Sequence, residues 1–153
     1  MLSRLWHGSL NVLVVLYGPA FPTEPEWDRH MVNVVRLREL TGDDPGRSRF
    51  LIFSDGGGPT AAQRRKILEQ RNPRDMRGAL VTASRLAAGI GSIMSLSFPG
   101  YRIFTPHEFA RALAHLEIRP GDIPGLLRHI RETNADVGLE CIAELPASLT
   151  PVP

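Results

Sequence analysis

One short segment of the chain combines residue types that can bind an anion. Residues 54–60 read S-D-G-G-G-P-T, so that three consecutive glycines join an apolar run to a stretch of helix-forming residues. Backbone amides that converge in such a loop, at the positive end of a helix dipole, can hold a phosphate-sized anion. Arg64 and Arg65 follow about one helical turn later and add cationic side chains. We call residues 54–60 the glycine loop.

A second group of polar residues is expected at the same edge of the structure. Thr82, Ser84 and Arg85 come directly after another apolar run and should end the neighbouring strand. In open parallel sheets, ligands bind where the strands end at this edge. The candidate residues for binding a ligand or a partner are therefore Ser54, Asp55, Gly56, Gly57, Gly58, Thr60, Arg64, Arg65, Thr82, Ser84 and Arg85.

The glycine loop has two interpretations, which the sequence leaves open. Three glycines can equally form a tight connection from a strand to a helix, and the segment matches neither a Walker loop nor the spaced dinucleotide fingerprint. Ser54 and Thr60 are candidate phosphorylation sites, because a nearly dianionic phosphate is electrostatically favourable at a helix N-terminus. The predicted ligand is thus a phosphate or another small anion, or a protein that recognises the loop.

Other kinds of catalytic or metal site find no support in the sequence. The five histidines are scattered, and no pair has the spacing of a helical metal site with a third ligand nearby. Asp43 and Asp44 belong to a turn cluster with Pro45 and Gly46. Cys141 is the single cysteine and is interpreted as a small core residue rather than a nucleophile. We predict no catalytic residue, no metal and no cofactor.

Length and composition predict an ordinary globular protein. The 153 residues are 42% hydrophobic and 22% charged, which suits one packed domain over residues 1–145, with a flexible, proline-containing tail at 146–153. A lone cysteine fits a reducing compartment, no stretch approaches the ~20 apolar residues of a membrane helix, and the apolar run at 10–17 has the length of a strand. We therefore expect a cytoplasmic protein without a membrane segment.

Basic residues are concentrated in the middle of the chain. Between residues 56 and 107, eight basic residues face only two acidic ones. Such an excess can attract an anionic ligand or an acidic partner, although a solvated helix face explains it as well, since arginine is the default base throughout. No nucleic-acid recognition motif accompanies these residues.

Hydrophobic periodicity and turn signals predict alternating strands and helices. A hairpin at 2–6 and 10–17 opens the chain, and the Thr23-Glu26 capping box starts a helix whose apolar face includes Trp27 in the core. The remaining predicted elements are a strand at 49–54, a helix at 60–70 with Pro59 in its first turn, a strand at 78–83, a buried helix at 84–97, a strand at 101–104, a helix capped by Thr105, a further helix at 123–132 and a short edge strand at 139–145. This order requires right-handed crossovers and an α/β fold with a mostly parallel central sheet flanked by helices.

The opening hairpin, the helical units that follow and the short inner strands together resemble the STAS domain, the fold of anti-anti-sigma factors, and in particular its SpoIIAA-like branch. The most similar segment, residues 77–116, contains RGALVTAS and YRIFTPHEFARALAHL. In that family the loop after the third strand often carries a phosphorylatable Ser or Thr in an Asp-Ser-Ser-Gly-like motif that controls partner binding. The glycine loop occupies the equivalent position but lacks the pair of serines.

Three functions are compatible with these observations. The first is a non-enzymatic STAS-like regulatory module that binds a protein partner through the glycine loop and the helix at 60–70, and is switched by phosphorylation or a small anion. The second is a flavodoxin-like, nucleotide- or phosphate-binding enzyme in which Asp55 acts as acid, base or metal ligand. The third is a structural subunit of a homo-oligomer, assembled through the edge strand at 2–6.

Overall fold

The computed structural model of the chain describes residues 1–42, 44, 47–70 and 76–146. The turn predicted at 43–46 lies largely outside these residues, as do the predicted helix stop at Asn72-Pro73 and residues 147–153 of the predicted tail. The described strands are β1 (Leu2–His7), β2 (Asn11–Tyr17), β3 (Ser48–Ser54), β4 (Arg77–Val81) and β5 (Tyr101–Phe104). The described helices are α1 (Glu24–Leu40), α2 (Ala61–Gln70), α3 (Arg85–Ser97), α4 (Phe109–His115), α5 (Ile123–Asn134) and α6 (Glu140–Ala143).

The five described strands form one mixed sheet in the spatial order β1-β2-β3-β4-β5. β1 and β2 are antiparallel, with Leu2 opposite Leu16, whereas β2, β3, β4 and β5 are mutually parallel. Each parallel connection moves one place along the sheet and contains a helix, as crossovers require. The predicted α/β architecture, with an opening hairpin and a mostly parallel sheet, is confirmed.

Helices cover both faces of the sheet, which explains why every residue of β2 after Asn11 is apolar, whichever face its side chain points to. Val12, Val14 and Leu16 belong to one core cluster, to which α4, α5 and α6 contribute. Leu13, Val15 and Tyr17 belong to a second cluster, to which α1 and α3 contribute and against which Ile67 of α2 packs. We call α4, α5 and α6 the closed layer, because their large apolar side chains are largely buried, and α1, α2 and α3 the open layer, because several of theirs are exposed.

Most helix boundaries follow from their predicted caps. The backbone amide of Thr23 donates to Glu26 Oε2 at 2.7 Å, and that of Thr105 donates to Glu108 Oε2 at 3.1 Å. Ser84 accepts a hydrogen bond from the amide of Ala87 at 3.3 Å and so begins α3. These contacts satisfy amide groups that have no partner inside the helix.

In α1, Trp27 is in the core, as predicted, and Leu37 is buried with it, whereas Val35 is 49% exposed. Pro59 also lies before α2 rather than in its first turn, because Thr60 is the residue that caps the helix. His7, predicted in the hairpin turn, is the last residue of β1 and pairs with Asn11.

The prediction that α3 is a buried helix is wrong. Ala87, Gly91 and Met94 face the sheet, whereas Leu86 and Leu96 on the other side are 61% and 86% exposed. The small residues of α3 do permit close packing: a Cβ at Gly91 would lie 2.7 Å from Leu80 Cδ2. That close approach uses only one side of the helix, and no described residue covers the other.

The predicted edge strand at 139–145 is also wrong, because this segment contains the short helix α6. Gly138 has φ +73°, which reverses the chain after α5, and the side chain of Asn134 accepts the amide of Leu139 at 2.7 Å. The first amides of α6 are then capped by Asp55, as described below. No helix in the described ranges is both long and apolar enough to span a membrane.

Candidate functional site

The structure brings the glycine loop and the end of β4 together at the carboxyl edge of the parallel strands. Thr82 Oγ1 donates to the carbonyl oxygen of Ser54 at 2.6 Å, and the amide of Ser84 donates to Thr82 Oγ1 at 3.0 Å. Thr82 is buried, at 4% exposure, while Ser84 caps α3. These residues form a hydrogen-bonded joint between two adjacent strand ends.

The amides at the start of the glycine loop are bonded within the protein. The amide of Asp55 donates to Tyr17 O at 3.2 Å, that of Gly56 to Ser54 Oγ at 3.0 Å, and that of Gly57 to Gly18 O at 2.8 Å. A Cβ at Gly57 would lie 2.2 Å from the carbonyl oxygen of Ala20, so only glycine fits there. These three amides would have to leave their acceptors before they could bind an anion.

The two candidate hydroxyl groups differ in accessibility. Ser54 is 1% exposed, and its Oγ donates to Gly57 O at 2.6 Å. Thr60 is half-buried and caps α2, with Oγ1 accepting from the amide of Gln63 at 3.2 Å while Gln63 Oε1 accepts from the amide of Thr60 at 2.9 Å. Phosphorylation of either residue stays a prediction, and Thr60 is the more accessible of the two.

Asp55 has a structural partner that the sequence did not indicate. Its carboxylate accepts the amide of Glu140 at 2.6 Å and the amide of Cys141 at 3.1 Å, and therefore caps α6. Burial, together with a hydrogen bond to Asp55, raises the pKa of the Cys141 thiol well above its usual range. Cys141 is thus a buried thiol that stays protonated, consistent with its interpretation as a core residue. Eighty-five residues separate Asp55 from Glu140, and no local pattern reports such a contact.

The three predicted arginines are placed differently. Arg64 is half-buried, and its Nη1 donates to the carbonyl oxygen of Pro59 at 2.7 Å, directly beside the glycine loop. Arg65 and Arg85 are exposed on α2 and α3. Of these three, only Arg64 holds its cation against the loop.

A cavity of about 70 Å³ lies between the sheet and the open layer. Its walls are mostly apolar, with polar contributions from Tyr17, His30, Ser54 and Tyr101. Three of the four methionines in the chain line it: Met31, Met76 and Met94. Burial raises the pKa of both tyrosines well above the usual range, so their hydroxyl groups stay neutral at physiological pH. The sequence analysis did not predict this cavity.

Exposed apolar side chains are concentrated on the open layer. We use the term open face for the outer surface formed by the large apolar residues with the highest exposure: Phe21, Val32, Val35, Leu40, Leu68, Leu86, Ile93 and Leu96. Phe21 lies just before α1, and the others lie on α1, α2 and α3. By contrast, every large apolar side chain between residues 109 and 145 is at least half-buried.

One signal in the sequence could have revealed the open face. Within α3, only Arg85 is charged among 13 residues, although the helix is long enough to have a polar outer side. Leu86, Ile93 and Leu96 follow a spacing that sets them apart from the buried Ala87 and Met94. A helix that is apolar on two sides is either fully buried, as the sequence predicted for α3, or part of an interface.

Neither a group of metal ligands in the described residues nor a match to a known protein adds to this description. Across residues 1–42, 44, 47–70 and 76–146, no three His, Cys, Asp or Glu side chains are grouped as a metal site would require. No family model, no curated protein and no solved structure matches this chain.

Proposed function

We propose that this chain is a non-enzymatic, STAS-like protein-binding module, and that its contact surface is the open face. The hairpin followed by sequential parallel strands supports the STAS-like architecture. The observation that carries the binding function is the one-sided distribution of exposed apolar side chains. Contiguous apolar patches on a soluble protein typically mark sites of interaction.

The residues around the open face have the composition of an interface. Leu86 and Leu96 expose 61% and 86% of their surface on a helix with no charge after its first residue. Charged residues are depleted at the centre of interfaces and return at the rim. Exposed Arg65, Lys66 and Arg85 of α2 and α3, which we call the basic rim, favour a partner that carries acidic groups beside an apolar surface. On α1, by contrast, exposed Asp28 and Glu39 lie beside Val32 and Val35.

The glycine loop has an indirect part in this proposal. Gly56, Gly57 and Gly58 are buried, so they offer little contact area, but the loop sets where α2 begins. Thr60 lies at that point. A phosphate on Thr60 would add negative charge next to the basic rim and would thereby change the attraction for an acidic partner. Regulation by phosphorylation, or by a small anion held there, is a further part of the proposal.

The experiment is a pull-down from the native host with paired variants of the open face. Leu86→Glu with Leu96→Glu places charges at two strongly exposed apolar positions of the face, whereas Leu86→Met with Leu96→Met keeps them apolar. Both pairs should fold, because these side chains make few contacts. We expect the wild type and the Met pair to retain the same partner and the Glu pair to lose it. Retention by the Glu pair would show that binding uses another surface.

A second copy of the chain is the partner that the same variants can reveal most simply. If the open face is self-complementary, light scattering will show a mass that rises with concentration in the wild type and in the Met pair, but not in the Glu pair. An assembly through β1 would instead persist in all three proteins. Such an assembly would favour the edge-strand hypothesis over the open face.

A further inference from the structure

Helix α2 covers the sheet incompletely, and the cavity lies under it. Ile67 is the residue of α2 that lines the cavity, while Leu68 points outward at 41% exposure. Gln63 is also buried, at 1% exposure, but among the described residues its Nε2 atom has no hydrogen-bond partner. An unsatisfied buried amide weakens the attachment of a helix to the sheet.

The lining of the cavity determines what it can accept. The ionisable side chains of the lining are His30, Tyr17 and Tyr101. Burial keeps the phenols of the two tyrosines neutral, and the other lining side chains carry no charge. An apolar cavity excludes a charged group but takes up a hydrocarbon. Methionines adapt their shape to a ligand more easily than branched side chains. The interior therefore suits the apolar part of a small molecule.

A cation lies one hydrogen bond away from the lining of the same cavity. Pro59 belongs to the lining, and its carbonyl oxygen accepts a hydrogen bond from Nη1 of Arg64, which is not itself a lining residue, at 2.7 Å. A guanidinium retains free N–H donors after making one such bond and can bind a carboxylate with two of them. A ligand with an apolar chain inside the cavity would have its polar end near Arg64.

We propose that the cavity beneath α2 binds a small amphipathic carboxylic acid, with the alkyl chain inside and the carboxylate at Arg64. The cavity of about 70 Å³ is smaller than the roughly 150 Å³ of an engineered cavity that accepts benzene. Chains that exceed this volume require α2 to move outward, and that movement is part of the proposal. This site is distinct from the open face and does not depend on a protein partner.

The test is calorimetric titration of the whole chain with straight-chain carboxylates of four to ten carbons, and with the primary alcohols of equal length. Affinity should rise about fourfold for each added CH₂ until the cavity is full. Each carboxylate should bind several-fold more tightly than its alcohol. Absence of binding by every carboxylate, or an affinity independent of chain length, would overturn the proposal.

Two matched pairs of variants locate the ligand. Val34→Phe fills the cavity, whereas Val35→Phe places the same ring on the exposed side of α1, so only the first should abolish binding. Arg64→Gln should remove the preference for the carboxylate over the alcohol, while Arg65→Gln should leave it unchanged. Arg64 is half-buried and Arg65 is exposed, so neither substitution changes the core, and this second pair still tests the proposal if Val34→Phe fails to fold. An unchanged preference in Arg64→Gln would overturn the assignment of the carboxylate.

Discussion

The closed and open layers pack on the same sheet but differ in how completely their large apolar side chains are buried. The closed layer buries its large apolar residues and is fastened by long-range polar contacts. Arg49 Nε donates to the carbonyl oxygen of Leu116 at 2.9 Å, and Asp55 caps α6. The open layer exposes seven of the eight side chains of the open face, with Phe21 just before it, and leaves a cavity above the sheet.

This difference indicates that the closed layer contributes more to the stability of the fold than the outer side of the open layer does. An apolar side chain in water gives no burial energy and promotes aggregation, so folding alone does not explain the open face. The strands are not the cause, since Val14 and Val15 of β2 are equally buried on opposite faces. The outer sides of α1, α2 and α3 make the difference, and the protein-binding function proposed above would account for them.

The largest contrast should come from comparing Phe109 with Leu96. Phe109 is fully buried, with its ring centroid 5.8 Å from that of Phe53, so Phe109→Ala should lower the free energy of unfolding by about 3–5 kcal/mol. Leu96→Ala should change it by less than about 0.5 kcal/mol, because the residue is exposed. Urea denaturation measures both. A large loss in Leu96→Ala would mean that the open face is covered within the monomer.

Adjacent residues of β2 provide a finer comparison. Val14→Ala removes two methyl groups from the closed core and should cost about 2 kcal/mol. Val15→Ala removes the same groups beside the cavity, where fewer atoms surround them, and should cost about 1 kcal/mol. Equal losses in urea denaturation would contradict a cavity on the open side. Since both residues lie in one strand, differences in strand propensity cancel.

Asp55 tests the fastening of the closed layer. Asp55→Ala should cost about 1–2 kcal/mol, because two amides at the start of α6 lose their acceptor. Cys141 should also react faster with a thiol reagent in this variant, since the fraying of α6 exposes it. Val35→Ala on the open layer serves as the control and should leave the labelling rate unchanged. Slow labelling in both variants would show that α6 is held without Asp55.

The smallest expected effect concerns pH. Hydrogen bonding from Arg77, with a further contribution from Arg49, lowers the pKa of Glu117 below its ordinary value of 4.5. The unfolded chain then takes up the proton first, so the free energy of unfolding falls as pH drops below about 4.5. Glu117→Gln should make this decline shallower, by less than about 1 kcal/mol, since the side chain is largely exposed. An identical slope in the variant, measured by denaturation between pH 3 and 6, would contradict this role.

Local sequence patterns were sufficient to predict the structure wherever the residues of one short segment determine it. Thr23 with Glu26, Thr105 with Pro106 and Ser84 all begin helices where their side chains predicted. The alternation of strands and helices was likewise sufficient to predict the sheet. The candidate residues at 54–60 and 82–85 were placed at one edge for the same reason, since parallel strands end together.

Predictions were less successful where the structure of a segment depends on residues far away in the chain that pack against it. Residues 139–145 have the apolar content of a strand, but a carboxylate 85 residues away caps a helix there. The composition of α3 allowed either a buried helix or an interface. Only the position of α3 over the edge strand β5 leaves one side uncovered.

The sequence by itself therefore determined the order of the elements up to α5, the caps at Thr23, Ser84 and Thr105, and an α/β fold with a mostly parallel sheet, because turns, caps and hydrophobic periodicity act over a few residues. The tertiary structure alone decided that the amides of Asp55 and Gly57 bond to Tyr17 and Gly18 at the end of β2, and that Asp55 caps α6. It also decided that the apolar surplus of α1, α2 and α3 faces outward. These outcomes depend on distances between segments far apart in the chain, which local chemistry does not specify.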